Sequence, residues 1–221
     1  IGKTYCTIEI IKSLIKKKIE VNPFKPILSG FNSKKIEQSD SYKILRTIKK
    51  DIDIKDIKSM TPWLFNNAIA PSLAAEKENK NLEYNQVLNW CLDKINYKNN
   101  KNSINIIEGA GGILVPIEKE KTILDLIIGL RIPVILVVGN YLGSVSHTLS
   151  VVKNIQFSKL NIISIIINEN NDCDLDIEDT KKLIDISLNN KIITRKLYKE
   201  SNYNSEEFQL ITNDILNYFQ R

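Results

Sequence analysis

Histidine occurs once in the 221 residues, at His147, and cysteine three times, at Cys6, Cys91 and Cys173. A lone histidine without a partner pattern argues against a zinc-type centre. The wide cysteine spacing offers neither metal-ligand geometry nor a disulfide framework. All three thiols are expected to be packing residues in a reducing, cytoplasmic setting. A cleavable signal and an apolar run long enough to cross a bilayer are also missing, so no membrane partner is expected. Ile132 to Val138 is short, β-branched and broken by Pro133, which suits a buried strand. A strong charge bias is absent too: 31 basic against 26 acidic residues leave a net charge of +5. Runs such as Lys16-Lys17-Lys18 and Lys34-Lys35 are short and read as solvated faces, so no nucleic-acid partner is expected. The modest positive field can still help draw in an anionic nucleotide. Glycine is scarce: there are eight, where average usage of about 7% would give roughly fifteen. All but Gly129 fall in or beside the motifs below, where backbone must turn sharply or approach a ligand.

With 43% hydrophobic and 26% charged residues, the length suits one soluble α/β domain with a substantial core. Three apolar strands are each followed by a turn and a helical pattern. Asn105 to Ile107 leads into Glu108-Gly109-Ala110-Gly111-Gly112. Val134 to Val138 leads into Gly139 to Gly143 and a helix from near Ser144. Ile162 to Ile167 leads into Asn168-Glu169-Asn170-Asn171 and a helix from Ile177 to Leu188. Continuous apolar strands alternating with amphipathic helices predict a doubly wound, mostly parallel sheet with helices on both faces. Further helices are predicted over Thr4–Lys18, Ser41–Ile48, Asn85–Ile95 and Glu206–Phe219, and a strand end over Asn22–Ile27. Lys98 to Asn102 reads as a polar connector too short to divide domains. Thr61 to Ala75, with Pro62, Trp63, Phe65 and Pro71, reads either as an ordered loop tucked onto the core or as a ligand-facing wall.

Four segments could carry chemistry. Gly2-Lys3-Thr4, followed at once by a helix, matches the end of a phosphate-binding P-loop. There, backbone amides cradle phosphates, the lysine reaches the outer phosphates and the threonine hydroxyl holds magnesium. The triplet alone is equally compatible with a plain helix start. Glu108-Gly109-Ala110-Gly111-Gly112 puts a carboxylate at a strand's carboxyl end, where doubly wound sheets bind ligands, beside backbone thin enough to admit a substrate. That carboxylate could hold magnesium directly or through water. Lys25-Pro26-Ile27-Leu28-Ser29-Gly30 followed by Ser39-Asp40 would aim ammonium and hydroxyl donors into one crevice. Asp40 is open to a simpler reading as a helix N-cap. Around His147, the hydroxylated residues after Gly143 suit reception of a carboxylate at a helix start. The histidine itself is expected to orient that start or pack at an interface.

In this order and spacing the segments resemble the dethiobiotin synthetase family. The likeness rests on Gly2-Lys3-Thr4, Lys25 to Gly30, Ser39-Asp40, Pro62 to Ser72, Glu108 to Gly112 and Pro133 to Gly143, and runs from residue 1 to about Asn168. It implies a P-loop-type fold and an ATP-dependent cyclo-ligase that makes a cyclic urea from 7,8-diaminopelargonate and carbon dioxide. It also implies roles by motif. Lys3 and Lys25 would be catalytic, Lys3 on the phosphates and Lys25 on the carbamate and its phosphorylated form. Gly2, Lys3, Thr4, Asp40, Glu108, Gly109, Ala110, Gly111, Asn168 and Glu169 would bind ATP, with Asn168 reading adenine. Thr4, Asp40 and Glu108 would hold magnesium. Ser29 would contact substrate, and Gly143, Ser144 and Ser146 would receive its carboxylate across a homodimer interface.

Ile1 falls where the family's loop is already closing. A first strand and the leading half of the loop are therefore expected upstream, and this 221-residue piece alone is expected to bind ATP poorly. Ser146 stands where the family has asparagine, and Arg195 to Glu200 is the nearest match to its nucleotide-edge segment. Rival readings are a cobyrinate-type amide-forming synthetase, which would need a glutaminase domain, and a nucleotide-switched partitioning or regulatory ATPase. A third is an inactive fragment of the same fold.

Overall fold

The structure, a computed structural model, describes residues 1–97, 103–169 and 175–220. Cys173, Asn170-Asn171 and the connector from Lys98 to Asn102 lie outside the described residues. The chain runs through α1 (Lys3–Lys16), β1 (Glu20–Phe24), β2 (Ile27–Ser29), a 3-10 turn (Ile36–Gln38), α2 (Asp40–Leu45) and α3 (Ile54–Met60). Next come β3 (Trp63–Phe65), α4 (Pro71–Lys77), α5 (Tyr84–Tyr97), β4 (Ser103–Ile107), β5 (Pro116–Glu118), β6 (Lys121–Thr122) and α6 (Ile123–Leu130). Last are β7 (Val134–Gly139), α7 (Ser144–Phe157), β8 (Ile162–Asn168), α8 (Ile177–Ser187), β9 (Thr194–Leu197) and α9 (Glu206–Phe219). Two compact units form: residues 14–130, and residues 1–13 with 131–221. The class is α/β with parallel strands and flanking helices, as the alternating pattern predicts.

In the 14–130 unit, β1 pairs in parallel with β4 and β2 in parallel with β3. The strand end expected over Asn22–Ile27 is two strands, and the reason is local. Pro26 has no N–H to continue a ladder. The N–H of Lys25 turns to the Met60 carbonyl (3.3 Å), and the N–H of Trp63 bonds to the Pro26 carbonyl (3.2 Å). The chain therefore leaves β4 and joins β3 at Lys25. Trp90 on α5 meets both ladders, edge-on to Phe24 at 5.9 Å and to Trp63 at 6.1 Å between ring centroids.

In the other unit, β7, β8 and β9 form a parallel ladder. Residues 163–167 of β8 are all buried. Leu136, Val152, Ile165, Ile167, Ile177 and Ile184 form one core cluster, which places α7 and α8 on one face of the ladder. The two-residue period of a strand leaves Ile166, fully buried, for the opposite face. α9 lies against β8 and β9. It is joined to α1 by the edge-on rings of Tyr5 and Phe208 and by the Thr212 hydroxyl, which donates to Ser13 Oγ at 2.8 Å.

Helix ends differ from expectation where backbone geometry intervenes. α1 stops at Lys16 rather than Lys18, because Lys18 adopts a left-handed φ of 62°. α2 stops at Leu45 rather than Ile48, and the N–H groups of Thr47 and Ile48 bond three residues back in a tightened tail.

Candidate functional site

The parallel register of β1 and β4 builds the first part of the site. Phe24 pairs with Ile107, and the N–H of Glu108 bonds to the Phe24 carbonyl at 2.8 Å, so Lys25 and Glu108 emerge side by side at adjacent strand ends. Lys25 Nζ donates to Glu108 Oε1 at 2.5 Å and stands 3.6 Å from Asp40 Oδ2. The Lys25 and Glu108 side chains are only 5% and 3% exposed, whereas Asp40 is 40% exposed, so the pair is sheltered from solvent screening on all but the Asp40 side. Three residues singled out from sequence therefore converge. The N-cap reading of Asp40 is corrected: Ser39 caps α2, its hydroxyl accepting from the Tyr42 N–H at 3.2 Å, and Asp40 is the first helical residue. That leaves the Asp40 carboxylate to face Lys25.

Ser29 ends β2, and its Oγ is buried with no hydrogen-bond partner among the described residues. Buried hydroxyls are normally satisfied, so this one is open to a further partner. Beyond Glu108, Gly109 and Ala110 are half-buried and Gly111 is exposed. Gly111 has a φ of 75°, and a Cβ there would meet Val115 Cγ2 at 2.8 Å, so the turn itself requires glycine. The Thr61–Ala75 segment contains β3 and opens α4. Phe65 is core, while Trp63 and Leu64 are half-buried and line a cleft of about 550 Å³ with Phe31, Ile54 and Lys80. Neither Lys25 nor Glu108 lines that cleft.

In the unit of residues 1–13 and 131–221, Lys3 and Thr4 form the half-buried first turn of α1, directly after Gly2. Asn168 ends β8, and its Nδ2 donates to the Ile1 carbonyl at 3.1 Å. Glu169 is used locally, its Oε2 accepting from the Lys199 N–H at 3.0 Å. This ties the segment after β9 to the end of β8. Gly143 caps α7 in a left-handed conformation, and Ser144 Oγ just inside the helix is buried without a partner among the described residues. Ser146 is exposed. His147, in the first turn of α7, pairs through Nδ1 with the Tyr141 hydroxyl at 2.9 Å. Cys6 and Cys91 are both buried, and burial pushes the Cys91 thiol up to about 12, which keeps it an unreactive packing residue.

A family model described as an AAA domain matches residues 1–199. An ATP-dependent dethiobiotin synthetase of Phenylobacterium zucineum is 32% identical over 172 residues, covering 78% of this chain and 73% of the relative. Its counterpart in Methylobacterium nodulans is 31% identical, covering 76% of each chain. That of Clostridium botulinum (strain Eklund 17B) is 30% identical over 207 residues, covering 90% of this chain and 87% of the relative. The chain belongs to the dethiobiotin synthetase family.

Membership makes it an enzyme of the ligase class with a P-loop-type fold. Sequence reading of this dethiobiotin synthetase family member missed three features. One is the partnership of Tyr141 with His147, six residues apart across a turn. Another is the use of Asn140, which donates to the Leu175 carbonyl and accepts from the Thr180 hydroxyl, each at 2.6 Å. The third is the contact of Asn168 with the peptide before Gly2. Asn140 and Asn168 each stand at or just after the end of an apolar strand, which is a signal, but their partners lie far off in sequence.

Proposed function

We propose that the chain is an ATP-dependent dethiobiotin synthetase, joining carbon dioxide to 7,8-diaminopelargonate and closing the ureido ring with release of ADP and phosphate. Residues 1–221 serve as one synthetase domain. The observation that carries the reading is the buried Lys25 ammonium, 2.5 Å from Glu108 and 3.6 Å from Asp40, at the carboxyl ends of paired parallel strands. A substrate amine captures carbon dioxide as a carbamate, and the carbamate oxygen takes the terminal phosphoryl group of ATP. The second amine then attacks the carbamoyl carbon and expels phosphate. Negative charge accumulates on the carbamate and its phosphate, and a fixed ammonium in a site with little solvent is the group to stabilise it. Lys25 has that role, Lys3 neutralises the outer phosphates, and the Gly2–Thr4 turn and Gly109 to Gly111 shape the nucleotide and substrate surfaces. Asn168 and Glu169 stand on the base side. The unpartnered Ser29 hydroxyl is held for the substrate, and Gly143, Ser144 and Ser146 receive its carboxylate in a homodimer.

Magnesium would suit the donors that the motifs name. Asp40 and Glu108 offer hard carboxylate oxygens and Thr4 a hydroxyl. No group of three or more His, Cys, Asp or Glu able to hold a metal occurs among the described residues. Two carboxylates and a hydroxyl suit an ion that takes one or two carboxylates and fills its remaining positions with water and phosphate oxygens. When bound, it neutralises phosphate charge. No helix among the described residues is long and apolar enough to cross a membrane. Incubation with diaminopelargonate, ATP, magnesium and bicarbonate is expected to yield dethiobiotin and phosphate in equal amounts. Phosphate release without dethiobiotin, or no product from folded, full-length protein, would overturn the assignment.

A further inference from the structure

The peptide between Ile1 and Gly2 is gripped by a side chain from the far end of the sequence. Asn168 Nδ2 donates to the Ile1 carbonyl at 3.1 Å. It also occupies the space that a side chain on Gly2 would need: a Cβ there would lie 2.6 Å from Nδ2, and Gly2 has a φ of 93°. The grip is itself braced, because the Asn168 carbonyl accepts from the Asn140 N–H at 2.9 Å and Asn140 is locked on both sides of its carboxamide.

A trans peptide is planar, with its C=O and N–H pointing to opposite sides. Holding the Ile1 carbonyl on Asn168 therefore directs the N–H of Gly2 away from Asn168. Amides at the start of a helix bind phosphate only when they point together at the anion. We infer that Asn168 is a positioning residue of the phosphate-binding turn, fixing the Ile1–Gly2 peptide so that the Gly2 N–H joins those of Lys3 and Thr4 as a phosphate donor. This rests on the reading of Gly2-Lys3-Thr4 as a phosphate turn and is additional to any contact with the base. One Nδ2 hydrogen and Oδ1 remain for a base after the bond to Ile1 is made.

Inorganic tripolyphosphate with magnesium separates the two roles, because it has phosphates and no base. Its affinity and that of ATP are to be measured calorimetrically on the full-length protein as wild type, Asn168→Ala and Asn168→Leu. The leucine variant keeps the bulk beside Gly2 and removes the donor. Both variants are expected to weaken tripolyphosphate about threefold to tenfold, the range a neutral hydrogen bond spans, and ATP by at least as much. Their thermal midpoints without ligand are expected to match the wild type, since the side chain is half-exposed at a strand end. Loss of ATP affinity with tripolyphosphate affinity unchanged would overturn the inference and leave a base contact alone. Failure of wild-type protein to bind either ligand would overturn the nucleotide reading beneath it.

Discussion

Removing the Lys25 ammonium leaves the Glu108 carboxylate buried without the cation 2.5 Å away, and it removes the positive charge nearest Asp40. Lys25→Ala is therefore expected to lose stability, by roughly 3–5 kcal/mol if the pair behaves as other buried ion pairs do when one partner is deleted. Its turnover is expected to fall about 10²–10³-fold, as for loss of a transition-state donor, while ATP affinity changes little. Turnover and ATP affinity falling together in folded protein would mean that Lys25 acts on the nucleotide. Ser29 invites the opposite pattern. Its Oγ is buried and unpartnered, so the native fold gains nothing from it. Ser29→Ala should leave the thermal midpoint unchanged or raised, yet increase KM for diaminopelargonate. A loss of stability with unchanged KM would assign the hydroxyl to the fold. Lys25 and Glu108 were legible because each directly follows a strand, and Asp40 because it follows Ser39 at a helix start, places where side-chain chemistry and local pattern agree. The Asn168 contact was not, because 167 residues separate its partners.

Among the elements, short pieces were the hardest to read. β9 has four residues, of which Arg195 and Lys196 are charged. Its place in the ladder depends on Asp214 of α9, whose two oxygens accept from Arg195 Nε and a terminal Arg195 nitrogen at 2.7 Å each. Nothing in a four-residue window announces such a partner. The long apolar strands β7 and β8 and the helices α7, α8 and α9 were legible from periodicity, because burial on a ladder face dictates the pattern. At the end of α4, Glu78 ties down the chain that follows β3. Oε1 accepts from the N–H and Nδ2 of Asn67 at 2.9 Å each, and Oε2 pairs with Lys80 at 2.8 Å. Desolvation opposes its charge, but Lys80 and the Asn67 and Asn66 donors outweigh it and bring the carboxyl from 4.5 down to about 2. A carboxyl lowered on folding stabilises the fold above its unfolded value, and the gain is lost as pH falls through the folded one. Glu78→Gln is thus expected to lower stability near neutrality. The gap from wild type should close as pH drops from about 4.5 towards 2. A gap independent of pH would rule out this role for the charge.

For the whole molecule, the family match spans residues 1–199, and relatives in three bacteria are 30–32% identical over most of the chain. Family membership was legible from six motifs in order, each weak alone. The proposed homodimer would present Gly143 to Ser146 at its interface, and Leu142 beside them is 85% exposed. Sedimentation is expected to give twice the chain mass of 25.3 kDa, and Leu142→Asp to shift it towards one. A wild-type protein that sediments as a monomer at micromolar concentration would contradict the dimer.

The Lys25 site is proposed to build a urea carbon from carbon dioxide at the expense of ATP. Supplying carbon-13 bicarbonate with diaminopelargonate, ATP and magnesium, and reading product mass, tests it most directly. Dethiobiotin carrying one heavy carbon in its ureido carbonyl is expected, with one ADP formed per molecule. Unlabelled product, or ATP consumed without label entering diaminopelargonate, would contradict it.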